Sequence, residues 1–123
     1  MTRLSARLSP PNSLLLVLDP RTGKLPDTLA GAPIAATSSG IAIGTLTEID
    51  GETEVHLSDA AIVPEDSDLV MRWDGELATA GRLGILTIDS HVLMELEVGE
   101  TVNVQIWTND AAEPNVIWVT AAS

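Results

Sequence analysis

The chain has 123 residues, no cysteine, 45% hydrophobic residues and a formal net charge of −12. The missing cysteines exclude disulfides, zinc–thiolate sites and thiol nucleophiles. The hydrophobic content excludes a disordered acidic chain, which would be poor in Val, Ile and Leu, and the length suits one domain over residues 1–123.

The charge is unevenly spread. Four of the six basic residues (Arg3, Arg7, Arg21, Lys24) lie in the first 24 positions, whereas Leu25–Ser123 holds 17 carboxylates against Arg72 and Arg82. That excess cannot be absorbed by internal ion pairs, so most carboxylates face water or a cationic partner. Nucleic-acid binding is disfavoured, because phosphate contacts need clustered Lys and Arg. The first ten residues lack a long apolar run, and Asp19 interrupts Leu14–Leu18 after five residues, so no signal peptide or membrane span is expected. A soluble, cytoplasmic protein follows.

Taken in chain order, the pattern predicts strands near 13–18, 39–48, 52–58, 68–74, 83–89, 91–98, 101–108 and 115–120, with 76–80 as a further segment. Pro20–Pro33, with three prolines and two glycines, reads as a loop crossing between sheets. Asp50-Gly51 and Asp74-Gly75 read as tight turns between strands, and Val98-Gly99-Glu100 as a hairpin connection. Asp59–Asp66 has room for a short helical turn limited by Pro64, and Asn109–Pro114 reads as a longer loop. Along 52–57 the residues Thr53, Val55 and Leu57 oppose Glu52, Glu54 and His56, and Val102, Val104 and Ile106 share one face of the next clear strand. Many short alternating strands predict an all-β fold, a single-domain antiparallel β-sandwich of about eight strands.

Two residue sets have metal-ligand chemistry. Glu52, Glu54 and His56 share one strand face, with the ordinary solvated face as the plain alternative. Asp59, Glu65, Asp66 and Asp68 have oxygen ligands suited to calcium, but in no recognised loop spacing. Neither set commits the chain to a metal or cofactor. Nucleophilic catalysis would need Ser or Thr beside a base; His56 and His91 are the only imidazoles, and Ser90 points away from His91 on a strand. There is no G-x-S-x-G elbow or phosphate loop, so no catalytic residue is assigned.

Of the three tryptophans, Trp73 is in phase with Leu69 and Met71 and reads as core. Trp107 falls on the face of Asn103 and Gln105, where a loop or a partner must cover it, and Trp118 is undecided.

Two segments, Leu14-Leu15-Leu16-Val17-Leu18-Asp19 and Leu96-Glu97-Val98-Gly99-Glu100-Thr101-Val102-Asn103-Val104, together with the strand order, resemble the competence protein J family. Members are small acidic β-sandwich proteins of bacteria and include an inhibitor of a DNA-entry nuclease. The resemblance implies a sandwich fold and an inhibitor role, and carries over no functional residue. The resulting expectation is a non-catalytic acidic module that caps a basic protein partner through Glu48, Asp50, Glu52 and Glu54, adjoined by Asp66 and Asp68, with Trp107 available for contact. The alternatives are a structural homodimer using Trp107 and sheet edges, and a metal- or small-ligand-binding sandwich.

Overall fold

The computed structural model describes residues 3–25, 33–46, 50–59, 64 and 68–122. Its strands in chain order are β1 (Arg3–Leu8), β2 (Leu14–Leu18), β3 (Ile34–Ala36), β4 (Gly40–Gly44), β5 (Thr53–Asp59), β6 (Val70–Ala78), β7 (Arg82–Thr87), β8 (Val92–Glu97), β9 (Thr101–Thr108) and β10 (Val116–Ala122). They make two five-stranded sheets, sheet I in the order β1-β5-β10-β9-β6 and sheet II in the order β3-β4-β2-β7-β8. Every pairing is antiparallel except β5 with β10, which run parallel with Val55 opposite Ile117.

Alternation along the strands sets the core. Val55, Leu57, Val102, Val104, Ile106, Ile117 and Val119 of sheet I pack against Leu15, Val17, Ile41, Ile43, Leu83 and Ile85 of sheet II. Each such aliphatic side chain contributes about 1.5–3 kcal/mol on burial, so a core without Phe or Tyr still holds the sheets together. The unbroken run Leu14–Leu18 has a separate cause. Leu16 and Leu18 point away from that core and form a second buried cluster with Ala42 and Leu86 on the outer face of sheet II. The chain after β2 crosses this face so closely that a Cβ on Gly40 would lie 2.2 Å from the Lys24 carbonyl oxygen.

One end of the sandwich is closed by a buried carboxylate. Asp19, fully buried, accepts the backbone N–H of Arg21 at 2.9 Å and that of Ala80 at 2.8 Å. Burial alone would push its carboxyl up; the backbone N–H groups of Arg21, Ala80 and Arg82, with the Arg21 charge, outweigh this and hold it below its ordinary value. The β6–β7 and β8–β9 connections meet here. Thr79 donates its backbone N–H to the Glu100 carbonyl (2.9 Å) and its hydroxyl to the Gly99 carbonyl (2.6 Å), while Val98 N–H reaches the Gly81 carbonyl (3.0 Å).

The sandwich stands as expected, with several connections corrected. Asp74-Gly75 is no turn: both residues lie inside the nine-residue β6, which pairs in continuous register with β9 from Trp73 to Ala78. Gly75 is needed because the Trp73 ring folds over it, leaving 2.7 Å to a Cβ built there. Val98–Glu100 joins two sheets rather than a hairpin, and so does the segment around Asp50-Gly51, where Gly51 takes a positive φ of 138°. Pro20–Pro33 does not cross between sheets, since β2 and β3 both belong to sheet II. The strand expected over 39–48 ends at Gly44, and β1 and β3 lie outside every expected strand. The helical turn expected at Asp59–Asp66 falls mostly outside the described residues. Among the described residues no helix is long and apolar enough to cross a membrane.

A candidate protein-binding rim

The end opposite Asp19 is built from loops. Strand directions bring together the entry to β5 (Asp50–Glu52), the β9–β10 loop (Asn109–Asn115), the β7–β8 tip (Ile88–His91) and the approach to β6 (Asp68, Leu69). Backbone hydrogen bonds tie the pieces: Leu46 N–H to the Pro114 carbonyl (2.9 Å), Glu54 N–H to the Asn115 carbonyl (2.8 Å) and Thr45 N–H to the Ser13 carbonyl (2.8 Å).

The β9–β10 loop is held by its own side chains. Asp110 Oδ1 accepts the backbone N–H groups of Ala112 (2.8 Å) and Glu113 (3.0 Å). Those bonds, led by Glu113 and helped by the Arg72 charge, keep the Asp110 carboxyl below its ordinary value. Asn109 Oδ1 accepts N–H from Asn115 and Val116, both at 3.1 Å. At the neighbouring tip the Thr87 hydroxyl donates to Asp89, which lowers that carboxyl too, and Ser90 sits at φ 67°. Loops fixed in this way lose little freedom on binding.

Two properties distinguish the rim. Asp50, Glu52, Glu54, Asp68, Asp110 and Glu113 all lie at this end, with Arg7 and Arg72 as the nearby cations. Among the described residues, the exposed large hydrophobic side chains Val70, Met71, Ile88 and Val92 sit here as well, leaving only Leu25 elsewhere. Apolar groups rimmed by charge mark interaction surfaces. Two hollows open on the rim. One is a cleft of about 200 Å³ between the sheets, walled by Ile34, Ile43, Trp73 and Pro114 with Arg72 at its mouth. The other, about 270 Å³, lies between Arg7, Glu52, Glu54 and Val116.

The expected site residues divide. Asp50, Glu52 and Glu54 come together on the entry to β5. The Glu54 carboxylate lies 3.9 Å from Arg7 and 3.4 Å from His56 Nε2. Asp68 is on the same rim but at the far edge of sheet I, with β10 and β9 between β5 and β6. Glu48 and Asp66 lie outside the described residues. The sequence reading missed Asp110 and Glu113, whose signal was an Asx-type loop before the last strand.

The proposed wet face of β5 is also corrected. His56 and Ser58 are buried: the imidazole stacks on Trp118 with ring centroids 4.7 Å apart, Arg3 lies 4.4 Å over the indole, and Trp118 Nε1 donates to Ser58 (2.9 Å). Burial, followed by the Arg3 charge, outweighs Glu54 and lowers the His56 pKa. Trp73 is half-buried against the core. Trp107 is also half-buried; its Nε1 is enclosed without a hydrogen-bond partner among the described residues, and its neighbour across the strands is the exposed Met71. The candidate calcium set does not assemble around one loop. Asp59 closes β5 and Asp68 precedes the parallel β6, at opposite ends of the sheet, while Glu65 and Asp66 are outside the described residues. Among the described residues no three His, Asp or Glu side chains gather as a metal-binding group.

No family model and no curated protein matches the sequence. Solved structures match its fold. ComJ of Bacillus subtilis, described as the inhibitor of the DNA degrading activity of NucA, superposes with a TM-score of 0.66 at 11% identity, over 98% of this chain and 95% of its own. The protein described as crocagin biosynthetic gene J gives 0.52 at 12% identity, over 97% and 94%. The chain thus has the fold of the competence protein J inhibitor, as the two sequence segments implied.

Proposed function

We propose that this chain is a non-catalytic binding module of the inhibitor type, whose acidic rim caps a basic surface of a protein partner such as a DNA-degrading nuclease. The observation that carries the reading is the likeness in fold to a nuclease inhibitor along nearly the whole of both chains. A nuclease gathers DNA with Lys and Arg that neutralise phosphates. A rim presenting Asp50, Glu52, Glu54, Asp68, Asp110 and Glu113 offers the same sign of charge on a rigid support, and so competes for that surface. Opposite potentials also accelerate encounter and select cationic partners. A cytoplasmic setting in a bacterial cell goes with this role.

The test is inhibition of DNA degradation by nucleases fractionated from the protein's own cell. Stoichiometric inhibition that weakens with salt is expected, and reversal of the exposed Glu52 and Glu113 to Lys should relieve it. Glu54 is a poor choice for reversal because it partners Arg7 and His56. A protein in molar excess that slows no such nuclease would refute the proposal.

A further inference from the structure

Strand β6 ends sheet I, so only its β9 flank is paired. On the free flank, among the described residues, one backbone hydrogen bond is made, from Ala78 N–H to the Ser38 carbonyl at 2.9 Å. The bulge between Met71 and Trp73 spoils the first part of that edge, and Trp73–Leu77 is regular and, among the described residues, has no strand paired to its free flank. Natural edges this long are usually blunted. Here one inward position, Trp73, borders the apolar cleft that Ile34 and Ile43 also wall. The outward positions carry Asp74 and Glu76, both exposed and neither in an ion pair among the described residues.

We infer that β6 is a docking edge for an extended, basic segment of a partner protein, which adds to sheet I as a further strand. Alternation along the incoming strand turns every second side chain to the inward side, where the one beside Trp73 meets the cleft, and the others to the side of Asp74 and Glu76. The occupant therefore alternates apolar residues with Lys or Arg. The two carboxylates repel acidic strands and give neutral ones no ion pair, so the same charges that guard the edge also select its ligand. This deepens the inhibitor reading by naming a mode of contact, and it can be tested without a nuclease.

The probe is an acetylated, amidated heptapeptide alternating lysine and valine, titrated into isotope-labelled protein and followed by amide shifts and hydrogen exchange. Shifts centred on Trp73–Leu77 and the Trp73 indole are expected, with slowed exchange along β6. The D74K/E76K variant should bind at least about tenfold more weakly, which corresponds to about 1.4 kcal/mol. A counterpart alternating glutamate and valine should not bind. Four results overturn the inference: no binding at millimolar peptide, equal shifts at the β1 or β8 edge, indifference to D74K/E76K, or β6 already protected by a second copy in light scattering. Failure of nuclease inhibition with a positive peptide result would overturn the inhibitor role and leave the edge standing.

Discussion

Replacing Asp19 by Ala should cost far more than breaking its ion pair. The carboxylate accepts two backbone N–H groups, at 2.9 and 2.8 Å, from residues on different connections. Removing it leaves those donors without an acceptor in an enclosed corner, at about 1–3 kcal/mol each. A total of about 3 kcal/mol is expected, because water can reach the Arg21 side of the corner. For a domain of this size that is a fall of roughly 10 °C in Tm. Arg21→Ala removes a contact of 3.6 Å from a side chain that is 61% exposed and should cost under about 1 kcal/mol. Urea unfolding followed by tryptophan fluorescence measures both. The pH dependence adds a second check. The folded carboxyl lies below its ordinary value, so its stabilisation is present above the unfolded value near about pH 4 and is lost as pH falls through the folded value. The gap between wild type and Asp19→Asn should therefore narrow in acid. A D19A variant within about 1 kcal/mol of wild type, or equal to R21A, would refute the claim that backbone donors hold this corner.

Other outcomes follow from the same geometry. Gly40→Ala sets a Cβ against a backbone oxygen at 2.2 Å and should destabilise by more than about 2 kcal/mol. Gly81→Ala meets open space at φ 113° and should cost only about 1–2 kcal/mol of backbone strain; thermal melts compare the two. His56, whose folded pKa is lowered, contributes stability that is complete above about pH 6.5 and falls away as pH drops through the folded value. His56→Phe keeps the stack on Trp118 and should flatten the stability curve between about pH 7 and pH 5. Arg3→Ala removes the cation over Trp118 and should cost about 0.5–1 kcal/mol, with a change in tryptophan fluorescence.

Alternation made the sandwich legible, because Val55/Leu57 and Val102/Val104/Ile106 each mark one buried face, whereas the unbroken run Leu14–Leu18 hid that Leu15 and Val17 face the core and Leu16 and Leu18 do not. Turn residues misled on connectivity. Gly51, Gly81 and Gly99 occupy corners where the chain changes sheet, while the true hairpins turn through Thr37–Ser39, Ile88–His91 and Asn109–Asn115 without glycine. A glycine reports a backbone angle or a close approach and says nothing about which sheet follows. His56 shows a second limit. Its period placed it on the outer face correctly, but its burial depends on Trp118 and Arg3, which are brought there by strands distant in sequence. The acidic rim was half visible for the same reason: Asp50, Glu52 and Glu54 are local neighbours, whereas Asp110 and Glu113 join them only through the parallel pairing of β5 with β10.

That parallel pair also governs how the molecule can form. Strand β5 lies between β1, from residues 3–8, and β10, from residues 116–122. A strand from near the middle of the sequence thus waits for partners about fifty residues before it and about sixty after it, so few of its contacts are local and loop closure must precede any reward. During synthesis sheet I stays open along β5 until residue 122 has left the ribosome. Assembly is then a late, concerted event, and loss of either flanking strand should leave an aggregation-prone edge rather than a smaller folded core.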